Sequence, residues 1–229
     1  MHTQRERMQP RMSLNKLGEY LTATKPGRRR SIIRAQRQPK DFIVARYTDA
    51  EKAIKQFITA PTPDTDMLRR AVASLSAIAD GESWSGKNAE LCTKALMRFM
   101  SIASDIPTNG YTAVTGDNHV PKYHMEGLDI SVRPEILLTD PGTGAVTGAI
   151  KLYLIQDPHL SDDALTFVST VLYRYLAEHL STEADVDCRN CFVVDVFAGR
   201  IFQAPKTYKR NMAHVRAACS EIATLWAAA

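Results

Sequence analysis

Cysteine is scarce in this chain, with four among 229 residues (Cys92, Cys188, Cys191 and Cys219). That is too few to staple a domain of this length by disulfides, so a reducing compartment, the cytoplasm, is the expected location. Long apolar runs are missing too. Nothing approaches the roughly 20 consecutive apolar residues of a membrane span, and no membrane partner is expected. The opening residues, MHTQRERMQP, are polar and basic, without the apolar stretch of a secretory leader. Internal repeats, a P-loop, a dinucleotide-binding glycine fingerprint and a G-x-S-x-G elbow are all lacking. The common nucleotide-binding and acyl-transfer classes therefore have no support.

What is present is ordinary globular material, 45% hydrophobic and 24% charged, enough for one large domain or a domain with an appendage. The charge is unevenly placed. Residues 1–50 hold 12 Lys+Arg against 4 Asp+Glu, a net of +8, while the other 179 hold 17 against 21, a net of −4. A basic arm on a mildly acidic body is the pattern of a polyanion-binding extension. Arg28, Arg29, Arg30 and Arg34 are its candidate nucleic-acid contacts, since guanidinium grips phosphate bidentately. The plainer alternatives are a solvated basic helix, or one docked on the acidic body.

The most informative stretch is GLDISVRPEILLTDPGTGAVTGAIKLYLIQ, residues 127–156. Leu128, Ile130, Val132, Ile136 and Leu138 alternate with Asp129, Ser131, Arg133 and Glu135, the period of a half-buried strand. Val146, Ile150, Leu152 and Leu154 alternate with Thr147, Lys151 and Tyr153 in a second run. Asp140-Pro141-Gly142-Thr143-Gly144 between them supplies turn chemistry. A hairpin is expected, with Asp129 and Glu135 on one strand's polar face and Lys151 on the other strand. Directly opposed residues would lie about 5 Å apart.

Pro134-Glu135, thirteen residues, then Ala149-Ile150-Lys151 resembles the PD-(D/E)XK nuclease superfamily, the restriction-endonuclease-like fold. The resemblance implies Glu135 as a Mg²⁺ ligand and Lys151 as the lysine that positions or activates the attacking water. Ala149 stands where that family has its second carboxylate. Asp129, Glu126, Glu90 and Asp195 are candidates to replace it, Asp129 foremost, with Glu90 on a helix that sometimes supplies a metal-binding Glu in that family. The implied activity is Mg²⁺-dependent hydrolysis of DNA phosphodiesters. The alternative is a catalytically dead, nuclease-like subunit that binds DNA or protein. A third class is an adaptor whose basic arm grips an acidic protein.

The rest of the chain predicts helices over 13–23, 31–38, 48–59, 64–80, 87–103, 161–180 and 208–228, from apolar spacing and caps such as Ser161 and the box Thr48-Asp49-Ala50-Glu51. A second hairpin is expected over 192–204, turning at Ala198-Gly199-Arg200, with Asp195 on its solvent side. His119, His124 and Glu126 fall in a loop and match no zinc signature. Cys188-Arg189-Asn190-Cys191 reads as ordinary thiols; a zinc site would need Cys219 and His214, and zinc is not expected. The fold class is α+β, a central mixed sheet built from two hairpins and flanked by helices. Residues 1–60 are expected as a basic helical extension and 64–229 as the nuclease-like core.

Overall fold

The computed structural model describes residues 6–39 and 46–228. Two sheets form. The smaller has the order β1-β4-β3, with β1 (Arg11–Ser13) parallel to β4 (Leu128–Ser131), and β3 (Tyr123–Met125) antiparallel to it. The larger has the order β2-β5-β6-β7-β8, comprising β2 (Thr112–Thr115), β5 (Ile136–Thr139), β6 (Val146–Tyr153), β7 (Cys191–Asp195) and β8 (Arg200–Gln203). Its pairs are antiparallel except β6 with β7, which run parallel because a helix, α6 (Asp162–Tyr175), connects them. The chain is α+β with a mixed central sheet.

The alternation in β6 decides where each layer packs. Ile150 and Leu152, with Ile136, Leu138 and Val194, join a core beneath α3 (Thr48–Ile58), α4 (Thr65–Ser76) and α5 (Trp84–Met100). Ala149 and Tyr153, with Val193, face the opposite core, which holds α1 (Leu14–Thr22), α6, α7 (Lys209–Leu225) and the small sheet. Covered on both faces, β6 is buried from Gly148 to Tyr153. Gly116 permits one close approach. Its backbone N–H donates to Glu135 O at 2.9 Å, and a Cβ there would stand 2.0 Å from Pro134 O.

Several expectations change. The run from 127 to 139 is not one strand. Arg133 adopts a positive φ of 43° and Pro134 follows, so the chain leaves the small sheet after β4 and enters the large sheet as β5. The hairpin is therefore β5–β6 alone, with a register shift between Leu138 and Thr139. The second hairpin, β7–β8, forms as expected, with Gly199 at φ 65° in its turn.

The N-terminal residues are no appendage. Met12, Leu14, Leu17, Tyr20, Ile32 and Ile33 are buried in the core that also holds α6 and α7, and β1 is a strand of the small sheet. Helix α2 (Pro26–Arg37) begins with Pro26 in its first turn, where a missing N–H costs nothing. Helix α3 packs with α4 and α5 across the proline-rich stretch at 60–63, and the three share one core. Residues 1–5 and 40–45 of the expected extension lie outside the described residues. Tyr47, at a φ of 66°, precedes α3, which makes Thr48 the helix's first residue and not its cap. Ser161 caps α6 as expected, accepting from Ala164 N at 3.2 Å.

Candidate functional site: the Glu135–Lys151 groove

The turn that moves the chain from one sheet to the other also sets Glu135. Its backbone N–H donates to Ile150 O at 3.1 Å, opening the β5–β6 ladder. Its side chain folds back over β6, where Oε2 accepts the Leu152 N–H at 2.7 Å and Oε1 accepts from Lys151 Nζ at 2.5 Å. Lys151 Nζ also donates to Arg133 O at 2.9 Å. Both side chains are nearly enclosed, 9% exposed for Lys151 and 13% for Glu135. Burial raises the Glu135 carboxyl above the usual carboxylate range. The Lys151 ammonium and the Leu152 N–H oppose that shift, and the charge of Glu51 adds to it.

Glu135 lines a groove of about 840 Å³, and Lys151 is tied to that groove through its bond to Glu135. Glu51 and Arg46 from the start of α3, Asn15 of α1, and Gln156 and Asp157 beyond β6 line it with Glu135. Asn15 Oδ1 is buried there without a hydrogen-bond partner among the described residues. Glu51 pairs with Lys55 at 3.0 Å one turn along its helix. Sequence reasoning passed over Glu51 because it sits beside a cap-like pattern that accounts for an acid. Its place in the groove follows from α3 packing on the same core as Ile150 and Leu152 of β6.

The other candidate residues lie elsewhere. Asp129 belongs to β4 in the small sheet, where it pairs with His124 Nδ1 at 2.5 Å. Glu90 is half exposed on α5, paired with Lys94 at 2.6 Å, and borders an adjoining cleft. Glu126 is 3.7 Å from Arg216, and His119, 94% exposed, lies beside Asp117. His179 packs edge-on to Tyr123 and beside Tyr175. All four cysteines are free thiols, and burial raises the pKa of both Cys188 and Cys191. Ala149 is fully buried in the core that holds α1, α6 and α7 and offers no side-chain oxygen. Among the described residues, no group of three or more His, Cys, Asp or Glu is placed to hold a metal.

The basic helix is partly spent on the body. Arg28 reaches Glu19 at 3.3 Å. Arg29 reaches Glu221 at 3.2 Å and lies over the Tyr20 ring. Arg30 and Arg34 are exposed. Docking onto an acid of the body, the plainer alternative, thus accounts for Arg29 alone, while Arg28 is paired within the N-terminal stretch.

Asp195 corrects another expectation. It is fully buried, not solvent-facing, because β7 lies between β6 and β8 and both its faces are covered. Its Oδ1 accepts the Ala198 N–H at 3.1 Å, His159 Nδ1 stands 3.6 Å away, and Arg200 Nη2 lies 3.8 Å from Oδ2. Arg200 itself is held by Asp162 at 2.6 Å. The near-continuous apolar run around Asp195 was the sign of a strand buried on both faces.

No helix among the described residues is long and apolar enough to cross a membrane. No protein-family model matches the chain, and no curated protein shows significant similarity to it.

Proposed function

We propose that the chain acts on nucleic acid through a PD-(D/E)XK-like core, with the Glu135–Lys151 groove as its substrate channel. The observation that carries this reading is the 2.5 Å pair of Glu135 and Lys151, the two residues that the resemblance matches, with Glu135 lining an 840 Å³ groove. The order of elements supports it: α5, three antiparallel strands β2-β5-β6, α6, then β7 parallel to β6. Lys151, held by Arg133 O and Glu135 Oε1, keeps a positive charge behind the carboxylate that lines the groove, where it would favour a phosphate brought up to Glu135.

Mg²⁺ needs hard oxygen donors and is commonly held by one or two carboxylates together with substrate phosphates and waters. Glu135 and Glu51 meet that minimum within one groove, and they are the residues that would hold the ion. Bound there, it would polarise a phosphodiester and lower the pKa of a water. The second reading, a groove that binds without cleaving, is favoured by the apolar burial of Ala149 and by both Glu135 oxygens already accepting hydrogen bonds.

The test is incubation of the full chain with labelled single- and double-stranded DNA in Mg²⁺, Mn²⁺ or EDTA, beside Glu51→Gln and Glu135→Gln. Metal-dependent cleavage lost in both variants is the expected result for an active site. Retained binding without cleavage selects the second reading. Neither binding nor cleavage sinks the nucleic-acid reading.

A further inference from the structure

The sequence holds two tryptophans, and the structure treats them oppositely. Trp226 is 3% exposed, its indole N–H donating to Arg7 O, whereas Trp84 is 50% exposed at the first position of α5. A half-exposed indole at a helix start contributes little to the core, so its role is sought in what surrounds it. Trp84, Lys87, Leu91 and Lys94 follow one another three or four positions apart, a single row along α5. With Arg46 they line a cleft of about 310 Å³. Arg46 and Leu91 also line the larger groove that holds Glu135, so the cleft and groove adjoin and share a wall. Three cations thus border the cleft against one acid, Glu90, which Lys94 already neutralises at 2.6 Å.

We propose that this row is the entry path for a single strand of nucleic acid, resting on the reading of the groove as a nucleic-acid channel. One base stacks on Trp84, and the phosphates follow Lys87, Lys94 and Arg46 towards Glu135 and Lys151. Charge complementarity selects a polyanion. The aromatic face narrows the choice, because a stacking platform needs a base whose π-face is free, which a duplex offers only at its ends.

Trp84 is the sole exposed tryptophan, so its emission reports occupancy directly. Fluorescently labelled oligothymidylate, oligouridylate and a duplex hairpin are titrated into the full chain, with anisotropy and tryptophan emission read together. Quenching by the single strands and weaker duplex binding are expected. Trp84→Ala should weaken oligothymidylate binding about ten-fold or more, with Trp84→Phe recovering part of the loss. Lys87→Gln should lower the slope of log affinity against log salt by about 1. Unchanged melting temperatures for these exposed positions separate lost contacts from lost fold. Wild-type affinity in both Trp84→Ala and Lys87→Gln, or duplex binding as tight as single-strand binding, overturns the path and leaves the groove's nucleic-acid role standing. If the wild-type chain binds no strand at all, both readings fall together. Equal binding of the DNA and RNA oligomers supports recognition by stacking and phosphate contacts alone.

Discussion

Lys151→Met is the sharpest perturbation of the structure. It keeps the length of the side chain and removes one buried charge. Glu135, 13% exposed, would keep only the Leu152 N–H at 2.7 Å as partner among those it now has. Breaking a buried ion pair from one side costs about 3–5 kcal/mol, since the remaining carboxylate is left unpaired in a low-dielectric site. For a chain of this size that corresponds to a fall in Tm of about 6–20 °C. Restoring neutrality with Glu135→Gln on top of Lys151→Met should recover most of the loss, because the amide oxygen still accepts from Leu152 and no charge remains buried. The double-mutant cycle should show a coupling of about 1 kcal/mol or more. Urea unfolding at constant m-value is the assay.

The pH dependence carries a second reading of the same experiment. The Glu135 carboxyl is raised by burial in the folded chain, so the folded state holds its proton more tightly than the unfolded state does. Such a group's contribution is fully present below the unfolded value of about 4.3 and is lost as pH rises through the folded value. Without the opposing Lys151, that window widens. The deficit of Lys151→Met should therefore shrink towards pH 4–5 and be largest at neutral pH. A single variant within about 1 kcal/mol of wild type at neutral pH, or a deficit that grows on acidification, would refute the claim that this pair is buried and coupled.

Other outcomes follow from particular contacts. Gly116→Ala forces a Cβ against Pro134 O and should cost about 1–3 kcal/mol by urea unfolding, loosening the turn that sets Glu135. Ser161→Ala removes the cap of α6 and should cost about 1 kcal/mol in the same assay. Asp140 accepts from Thr143 N, Thr143 Oγ1 and Gly142 N, and these bonds hold its carboxyl below the usual range. Its stabilising effect is therefore present above about pH 4 and lost as pH falls further, and Asp140→Asn should flatten that acid limb of the Tm–pH curve. Thiol titration of the native chain should leave Cys92, Cys191 and Cys219 unreactive, Cys188 alone being half-buried, with all four reacting after denaturation.

Much of the fold was legible from alternation and caps. Ser161, the turn at Ala198-Gly199-Arg200, and the opposed faces of Ile150 and Tyr153 all behave as their local pattern dictates. The misreadings share one cause, long-range pairing. Alternation from Leu128 to Leu138 is unbroken in the sequence, yet Arg133-Pro134 carries the chain between sheets, and no local period records which sheet a strand joins. That single turn separates Asp129 from Glu135. Likewise the basic N-terminal stretch reads as an arm by charge, while its apolar positions Leu14, Leu17 and Ile33 dock α1 and α2 into the core. Glu135 and Lys151 were legible because proline and strand spacing fix them locally. Glu51 was not, because its neighbours in the groove come from other elements, and the row at Trp84 is local to α5 but its exposure depends on how that helix packs.

Hydrogen–deuterium exchange of the full chain, with and without a short single-stranded oligonucleotide, tests the central claim most directly. New protection is expected over residues 46–51, 84–94 and 152–157 and around Glu135, which border the groove and the adjoining cleft. Protection confined to other surfaces, such as the exposed face of α7, or no change at saturating oligonucleotide, would contradict it.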